Sequence, residues 1–180
     1  RSSGRVTQHD DVGLHGFNVA RRVQERLSLD HAAGRGRKVN NVGAEAFGGQ
    51  LASTLEELKA QTASLYFTDF LRRKGVVTEA QAKEIYTHSI VWAFGHISQG
   101  MFTGSGNPKN YSQLAAVQVG WLMDEGALAW EVSPDAVTGK PTGRFVIVYE
   151  KLAPAVEKLM AKVVKIKATG DVGGAKALIE

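Results

Sequence analysis

Apolar side chains recur every three to four residues through most of the chain after residue 50, the spacing of helices that bury one face. The first such segment predicts a helix that begins at Ser53 and ends near Gly75, after three consecutive cations suited to the negative end of a helix. Ser53 and Glu56 have the spacing of a capping box, in which each side chain bonds the other residue's backbone N–H. The inward positions of this helix are predicted to be Leu58, Thr62, Leu65, Tyr66 and Phe70.

Two further helices follow the first at short intervals. Thr78 and Gln81 again have capping-box spacing, so a second helix is predicted from there to about Phe102. Asn110 is placed to cap a third helix, which Gly126 ends. Helices of this length joined by short loops favour an antiparallel arrangement.

One interruption breaks the helical pattern. Two segments rich in valine, isoleucine and aromatic residues, 128–132 and 144–149, flank a loop of prolines and glycines, which predicts a β-hairpin. A further helix is predicted from near Leu152, with a buried apolar stripe opposite four lysines, and a last short helix follows Asp171. The predicted fold class is therefore mainly α: an antiparallel helical domain with one small β-hairpin.

Residues 1–50 differ from the rest of the chain in composition. They hold seven of the ten arginines and eight glycines, and their apolar periodicity is weak. One short helix over 14–28 is possible. We therefore divide the chain into an Arg/Gly-rich leader over 1–50 and a helical domain over 51–180, with the hairpin near 128–149.

Bulk composition restricts the class of protein. The chain has 180 residues and 43% hydrophobic content, typical of one soluble globular domain. It lacks cysteine, which excludes thiolate chemistry and Cys-based metal sites. No apolar run approaches the roughly 20 residues of a membrane span, and no signal peptide is expected at the start. A soluble protein of either the cytoplasm or the periplasm is expected.

The net charge of +4 does not point to nucleic acid. A nucleic-acid-binding surface would interleave its basic side chains with aromatic ones. The arginines of the leader are accompanied by Phe17 and little else, so a solvated face explains them. Neither nucleic acid nor a membrane is expected as a partner.

The adjacent carboxylates Glu56 and Glu57 are the first candidates for chemistry. A zinc peptidase needs imidazole and carboxylate ligands around the metal and a general base that activates a bound water. A carboxylate at a helix start suits the third-ligand role, because the helix N-terminus stabilises its charge. Taken alone, the pair fits better as two ordinary first-turn residues with Glu56 as the capping acid, and the metal-ligand interpretation stays open as the alternative.

Two histidines of the second helix form another candidate. His88 follows Glu84 by four residues and His96 follows by eight more, which places all three roughly on one helix face. Such spacing can bind a metal, but a partly buried histidine beside Trp92 more commonly has a structural role. A structural role is the favoured interpretation.

The run from Leu55 to Tyr66, LEELKAQTASLY, resembles the second signature of the dipeptidyl peptidase III family of zinc metallopeptidases and its bacterial relatives. The resemblance covers about residues 30–180, because shorter matches continue in order at 115–118, 124–127, 143–145 and 167–171. It implies an aminopeptidase with two lobes and a peptide cleft between them. In such an enzyme a zinc-bound water attacks the scissile carbonyl, and the free N-terminus anchors the peptide substrate.

The resemblance also implies roles for individual residues. Glu57, the second of the pair, would bind zinc with Glu56 as its neighbour, and His31 would supply an imidazole ligand. Gln61 lies where the family has a carboxylate that orients a zinc-bound histidine through a hydrogen bond.

Two positions of the family's first signature differ here. Arg26 lies where the first histidine ligand is expected, and Leu27 lies where the general-base glutamate is expected. A cation repels zinc, and Leu27 cannot take a proton from water. His9 or His15 could substitute as a ligand, although on one helix they would lie about 240° apart and face different sides.

Three hypotheses remain. The chain is the helical part of the catalytic lobe of a zinc-dependent dipeptidyl peptidase III-like aminopeptidase, incomplete or degenerate at the zinc site. Alternatively, it is a non-catalytic helical binding or scaffold protein derived from that family. In the third hypothesis, residues 1–50 are foreign sequence fused to a genuine peptidase segment.

Overall fold

The computed structural model describes residues 46–135 and 138–179. In this part of the chain five helices and one hairpin follow in the order α1 (Gly49–Arg73), α2 (Glu79–Ile97), α3 (Asn110–Asp124), β1 (Leu128–Pro134), β2 (Pro141–Ile147), α4 (Tyr149–Thr169) and α5 (Val172–Ile179). The predicted fold class, mainly helical with one small hairpin, is confirmed. The short helix predicted over 14–28 and the residues His9, His15, Arg26, Leu27 and His31 lie outside the described residues.

The start of α1 differs from its prediction. The helix begins at Gly49, four residues before Ser53, and no side chain caps it. Gly48 makes the preceding turn with φ of 68°, a left-handed conformation that glycine adopts without a steric penalty. Phe47 is buried in the same apolar cluster as Leu55 and Ile166, and this tertiary contact accompanies the longer helix. The predicted capping box of Ser53 and Glu56 is therefore wrong.

Two other predicted helix boundaries change, while the capping box of α2 is confirmed. Thr78 Oγ1 accepts from the backbone N–H of Gln81 at 3.2 Å, and Gln81 Oε1 accepts from the backbone N–H of Thr78 at 2.9 Å. α2 ends at Ile97 instead of Phe102, because Gly100 adopts a left-handed turn with φ of 81°. Asn110 is the first residue of α3 and not its cap.

Side-chain contacts between the helices define their directions. α3 runs parallel to α1, since Asn110 contacts Ser53 and, two turns later, Gln118 contacts Thr62. α4 runs antiparallel to both, and its predicted apolar stripe is buried against them. The stripe residues are all at most 4% exposed: Leu152, Val156, Leu159, Val163 and Ile166.

The hairpin emerges from this core between α3 and α4. Leu128 pairs with Ile147 at its base and is 1% exposed, whereas Trp130 is 51% exposed one step further along the same face. The predicted second strand, 144–149, is shifted, because Tyr149 already belongs to α4 and its hydroxyl bonds Thr87 at 2.7 Å. None of the helices in the described ranges is long and apolar enough to cross a membrane.

Candidate functional site

The paired carboxylates Glu56 and Glu57 lie in the third turn of α1, not in its first. The prediction that they open the helix is therefore wrong. The helix dipole acts within the first turn, so it does not hold their charge at this position. Their surroundings must come from neighbouring helices, and those surroundings differ between the two residues.

Two ammonium groups pair with the partly exposed carboxylate of Glu56. Its carboxylate forms ion pairs with Lys59 on the same helix and with Lys167 in the last turn of α4. Burial alone would raise the pKa of Glu56, but the hydrogen bonds and charges of the two lysines outweigh burial and lower that pKa. The carboxylate of Glu56 therefore acts as a bridge between α1 and α4.

Glu57 is half-buried and faces the start of α3 instead. The pKa of Tyr111, at the start of α3, is raised by burial and by the charge of the Glu57 carboxylate. No lysine or arginine pairs with Glu57 among residues 46–135 and 138–179. Its carboxylate thus has no neutralising cation in this part of the chain.

An aromatic cluster supports Tyr111. Its ring centroid lies 5.5 Å from that of His96 and 6.1 Å from that of Trp92, both at the end of α2. The rings of Trp92 and His96 are 4.3 Å apart, and Ser112 Oγ donates to the backbone carbonyl of His96 at 2.8 Å. His96 accordingly packs between aromatic rings, and in the described ranges no three His, Cys, Asp or Glu side chains form a possible metal group.

Asn110 fixes the start of α3 on α1, one turn before Glu57. Its Nδ2 donates to Ser53 Oγ at 2.7 Å, while its Oδ1 accepts from Thr54 Oγ1 at 3.1 Å and from the amide of Gln50. Thr54 is 1% exposed, so this junction is partly shielded from water. The side chain expected to cap α3 instead joins two helices.

The predicted site residues are only partly tested by this geometry. Gln61 lies one turn beyond Glu57, is half-buried, and makes no side-chain hydrogen bond with the described part of the chain. His31 lies outside the described residues, so its predicted approach to Glu57 stays a prediction. Sequence reasoning missed the proximity of Tyr111 to the charge of Glu57, because a relationship across 54 positions leaves no local periodic signal.

The described residues supply one carboxylate of the type that binds zinc, that of Glu57, and no group of three possible ligands. Carboxylate oxygens are suitable zinc ligands, and the carboxylate of Glu57 has no ion pair within the described residues. Glu56, already paired with Lys59 and Lys167, fits the ligand role less well. Further ligands would have to come from outside the described residues.

Comparison with solved structures identifies related folds. The structure of DPP III from Caldithrix abyssi is 27% identical over 76% of this chain and 23% of that chain, with a TM-score of 0.61. Dipeptidyl-peptidase III from Corallococcus sp. strain EGB is 25% identical over 72% of this chain and 21% of that one, with a TM-score of 0.57. No protein-family model and no curated protein matches the chain.

The chain therefore has a fold related to that of dipeptidyl-peptidase III. This confirms the resemblance inferred from the sequence at the level of the fold. The match spans less than a quarter of the length of either relative.

Proposed function

We propose that the chain is the helical portion of the catalytic lobe of a dipeptidyl peptidase III-like zinc aminopeptidase with a degenerate zinc site. In this proposal Glu57 and His31 bind zinc, and the capacity to hydrolyse peptides is lost. The observation that carries it is the position of Glu57, a half-buried carboxylate without a cationic partner in the described part of a dipeptidyl-peptidase III-related fold.

The contrast between the two glutamates supports the choice of ligand. Two lysines neutralise the carboxylate of Glu56, and a metal would have to displace them. No lysine or arginine of the described ranges pairs with Glu57, so the lone pairs of its carboxylate are open to a cation. The second glutamate of the pair is therefore the better ligand.

The loss of hydrolysis follows from the sequence of the first signature. Bound zinc would polarise a carbonyl and lower the pKa of a water, which a general base then deprotonates. Leu27 occupies the position of that base and cannot accept a proton. Arg26, in the position of an imidazole ligand, also repels the metal, so zinc binding should be weaker than in a complete site.

A non-catalytic helical binding or scaffold protein is the second candidate. Large exposed apolar side chains on the hairpin and on the loop after α2 favour it, since contiguous apolar patches mark contact surfaces. Val132 is 70% exposed, Phe102 is 58% exposed and Trp130 is 51% exposed. In this case neither zinc nor a peptide substrate is needed.

Zinc titration of the purified chain by calorimetry distinguishes the two candidates. We expect one zinc site per chain, lost in Glu57→Ala and retained in Glu157→Ala. Glu157 is an exposed glutamate of α4 and serves as the matched control. A dipeptidyl-arylamide substrate should not be hydrolysed by the zinc-loaded chain.

Each other outcome has a defined meaning. A cooperatively folded chain that binds no zinc favours the binding or scaffold protein. Zinc binding that survives Glu57→Ala contradicts the ligand assignment. Hydrolysis that depends on zinc contradicts the loss of activity, and hydrolysis without zinc contradicts both candidates.

A further inference from the structure

We propose that the outer edge of β1, at Trp130 and Val132, binds an extended peptide segment as a third strand of the hairpin sheet. A two-stranded sheet is marginally stable in water, and the addition of a strand to an open edge is a common mode of peptide recognition. The bound segment has apolar side chains on one face and a cation on the other. This inference goes beyond the proposed function, because it requires no zinc.

The hydrogen bonds at the two ends of the hairpin define its register. Opposite residues of an antiparallel pair alternate between hydrogen-bonded and non-bonded pairs. At the base, the backbone N–H of Val148 donates to the carbonyl of Ala127 at 3.0 Å. At the far end, the backbone N–H of Asp135 donates to the carbonyl of Lys140 at 2.8 Å. Counted inward from either end, the odd-numbered residues of β1 are therefore the ones that bond β2.

The even-numbered residues of β1 direct their backbone groups to the outer edge. The N–H and C=O groups of Trp130 and Val132 have no backbone partner there among the described residues. The side chains at these positions are 51% and 70% exposed. The indole of Trp130 is nevertheless fixed, since its ring lies 4.8 Å from that of Phe145 and any side chain at Gly143 would overlap it. A fixed aromatic ring loses little conformational freedom when a partner binds.

The exposed apolar surface is far smaller than an interface between folded domains. A whole aromatic side chain has about 150–250 Å², so the exposed half of Trp130 offers roughly 100 Å². A stable interface buries about 800 Å² on each partner. A second copy of the hairpin also fits poorly, because pairing Trp130 with Val132 of the copy would place two Glu131 carboxylates opposite each other. A shifted register would pair Trp130 with Pro134, which has no N–H.

Charge complementarity indicates the central residue of the bound segment. Glu131 lies between Trp130 and Val132 on the other face of the strand, and its side chain is 49% exposed. Arg144 of β2 bonds only its Oε2 atom, at 3.0 and 3.2 Å. Oε1 can therefore accept from a second cation, and opposite charges on neighbouring strands are favourable. An antiparallel strand with a lysine between two apolar residues fits this edge.

Calorimetric titration of the full chain with a designed peptide tests this site. The probe is a short acetylated peptide amide in which valines alternate with threonines around one central lysine. The two valines beside the lysine should bond Trp130 and Val132, so methylation of their backbone nitrogens should weaken binding about 10-fold or more. The matched control carries the same two methyl groups on the lysine and on one threonine, whose N–H groups point away from β1. It should bind like the parent peptide.

Two variants of the protein test the same hydrogen bonds. Val132→Pro removes an outward N–H group and should weaken binding, because an edge strand tolerates proline at such a position but cannot donate there. Val132→Thr keeps this N–H group and should bind nearly as well as the wild type. If Val132→Pro unfolds the hairpin, the two methylated peptides decide alone.

The contrary results are equally defined. Equal affinities of the two methylated peptides would overturn the proposal, since the edge hydrogen bonds would then contribute nothing. Absence of binding by the parent peptide would also overturn it. Protection of the Trp130 amide from hydrogen exchange without peptide, rising with protein concentration, would assign the edge to a second copy and refute a peptide partner.

Discussion

The ammonium group of Lys167 forms an ion pair with the carboxylate of Glu56, 111 positions earlier in the chain. The pair joins the last turn of α4 to the third turn of α1, next to the residue proposed to bind metal. It explains why two adjacent glutamates of one helix have different roles. Glu56 holds two helices together, and Glu57 faces the aromatic cluster around Tyr111.

Removing the ammonium group of Lys167 should slightly reduce the free energy of unfolding, and the reduction should depend on pH. The side chain of Glu56 is 41% exposed, so solvent screening limits the loss in Lys167→Met to about 0.2–1 kcal/mol. Because folding lowers the pKa of Glu56, its contribution is present above the unfolded value of about 4.3 and is lost as pH falls through the folded value. The free energy of unfolding, measured with urea at pH 7 and at pH 3, should differ less between the two pH values in Lys167→Met than in the wild type. The same pH difference in Lys165→Met, an exposed lysine of α4, should match the wild type.

A buried hydrogen bond between α1 and α3 should contribute more to the free energy of unfolding than the ion pair of Glu56 with Lys167. Gln118 Nε2 donates to Thr62 Oγ1 at 3.2 Å, and the two residues are 5% and 0% exposed. Thr62→Val keeps the shape but leaves the amide without this acceptor, so we expect a loss of about 1–3 kcal/mol in the free energy of unfolding. Adding Gln118→Leu should recover part of that loss. If the double variant is less stable by the full sum of the single effects, the bond is not the cause.

The sequence predicted those features that depend on neighbouring residues. The apolar side chains of the α4 stripe recur at helical spacing, and the capping box joins Thr78 to Gln81 only three positions away. Both features appear as predicted. The start of α1 depends on burial of Phe47 by distant residues, and the role of Asn110 depends on side chains more than 50 positions away. The local sequence pattern reveals neither of these long-range contacts. It predicts a helix cap at Ser53 and another at Asn110 instead.

The sequence likewise predicts some features of the candidate site and not others. Glu57 could be predicted, because the run of residues 55–66 around it resembles a family signature. Tyr111 belongs to no such run, and the charge of Glu57 affects its pKa only because α1 and α3 run side by side. The ion pair of Glu56 with Lys167 likewise could not be predicted from the sequence, because it forms only when α1 packs against α4.

A buried tyrosine should make the fold sensitive to alkali. Burial, assisted by the charge of Asp69, raises the pKa of Tyr86 to about 12 from an ordinary value near 10. The unfolded chain therefore loses this proton first, and stability present below pH 10 should fall as pH rises toward 12. The loss should reach at most about 3 kcal/mol. Unfolding by urea between pH 8 and pH 12 should show a shallower decline in Tyr86→Phe, and an unchanged decline would assign the sensitivity to other groups.

The two departures from the family's first signature give the sharpest test of the degenerate zinc site. The resemblance assigns Arg26 the place of a histidine ligand and Leu27 the place of the general base. Arg26→His combined with Leu27→Glu removes a repelling charge and adds an imidazole, so zinc affinity should rise about 10-fold or more. Calorimetric titration measures the change, and the gain should disappear when Glu57→Ala is added.

A displaced pair of the same substitutions provides the control for that test. Arg22→His with Val23→Glu makes the same kinds of change four positions earlier, where the resemblance places no ligand. It should leave the zinc affinity at the wild-type value. Equal gains in the two double variants would show nonspecific binding by the added histidine. No gain in either would favour the hypothesis that residues 1–50 are foreign to the site, because restoring the signature would then act on a segment unrelated to Glu57.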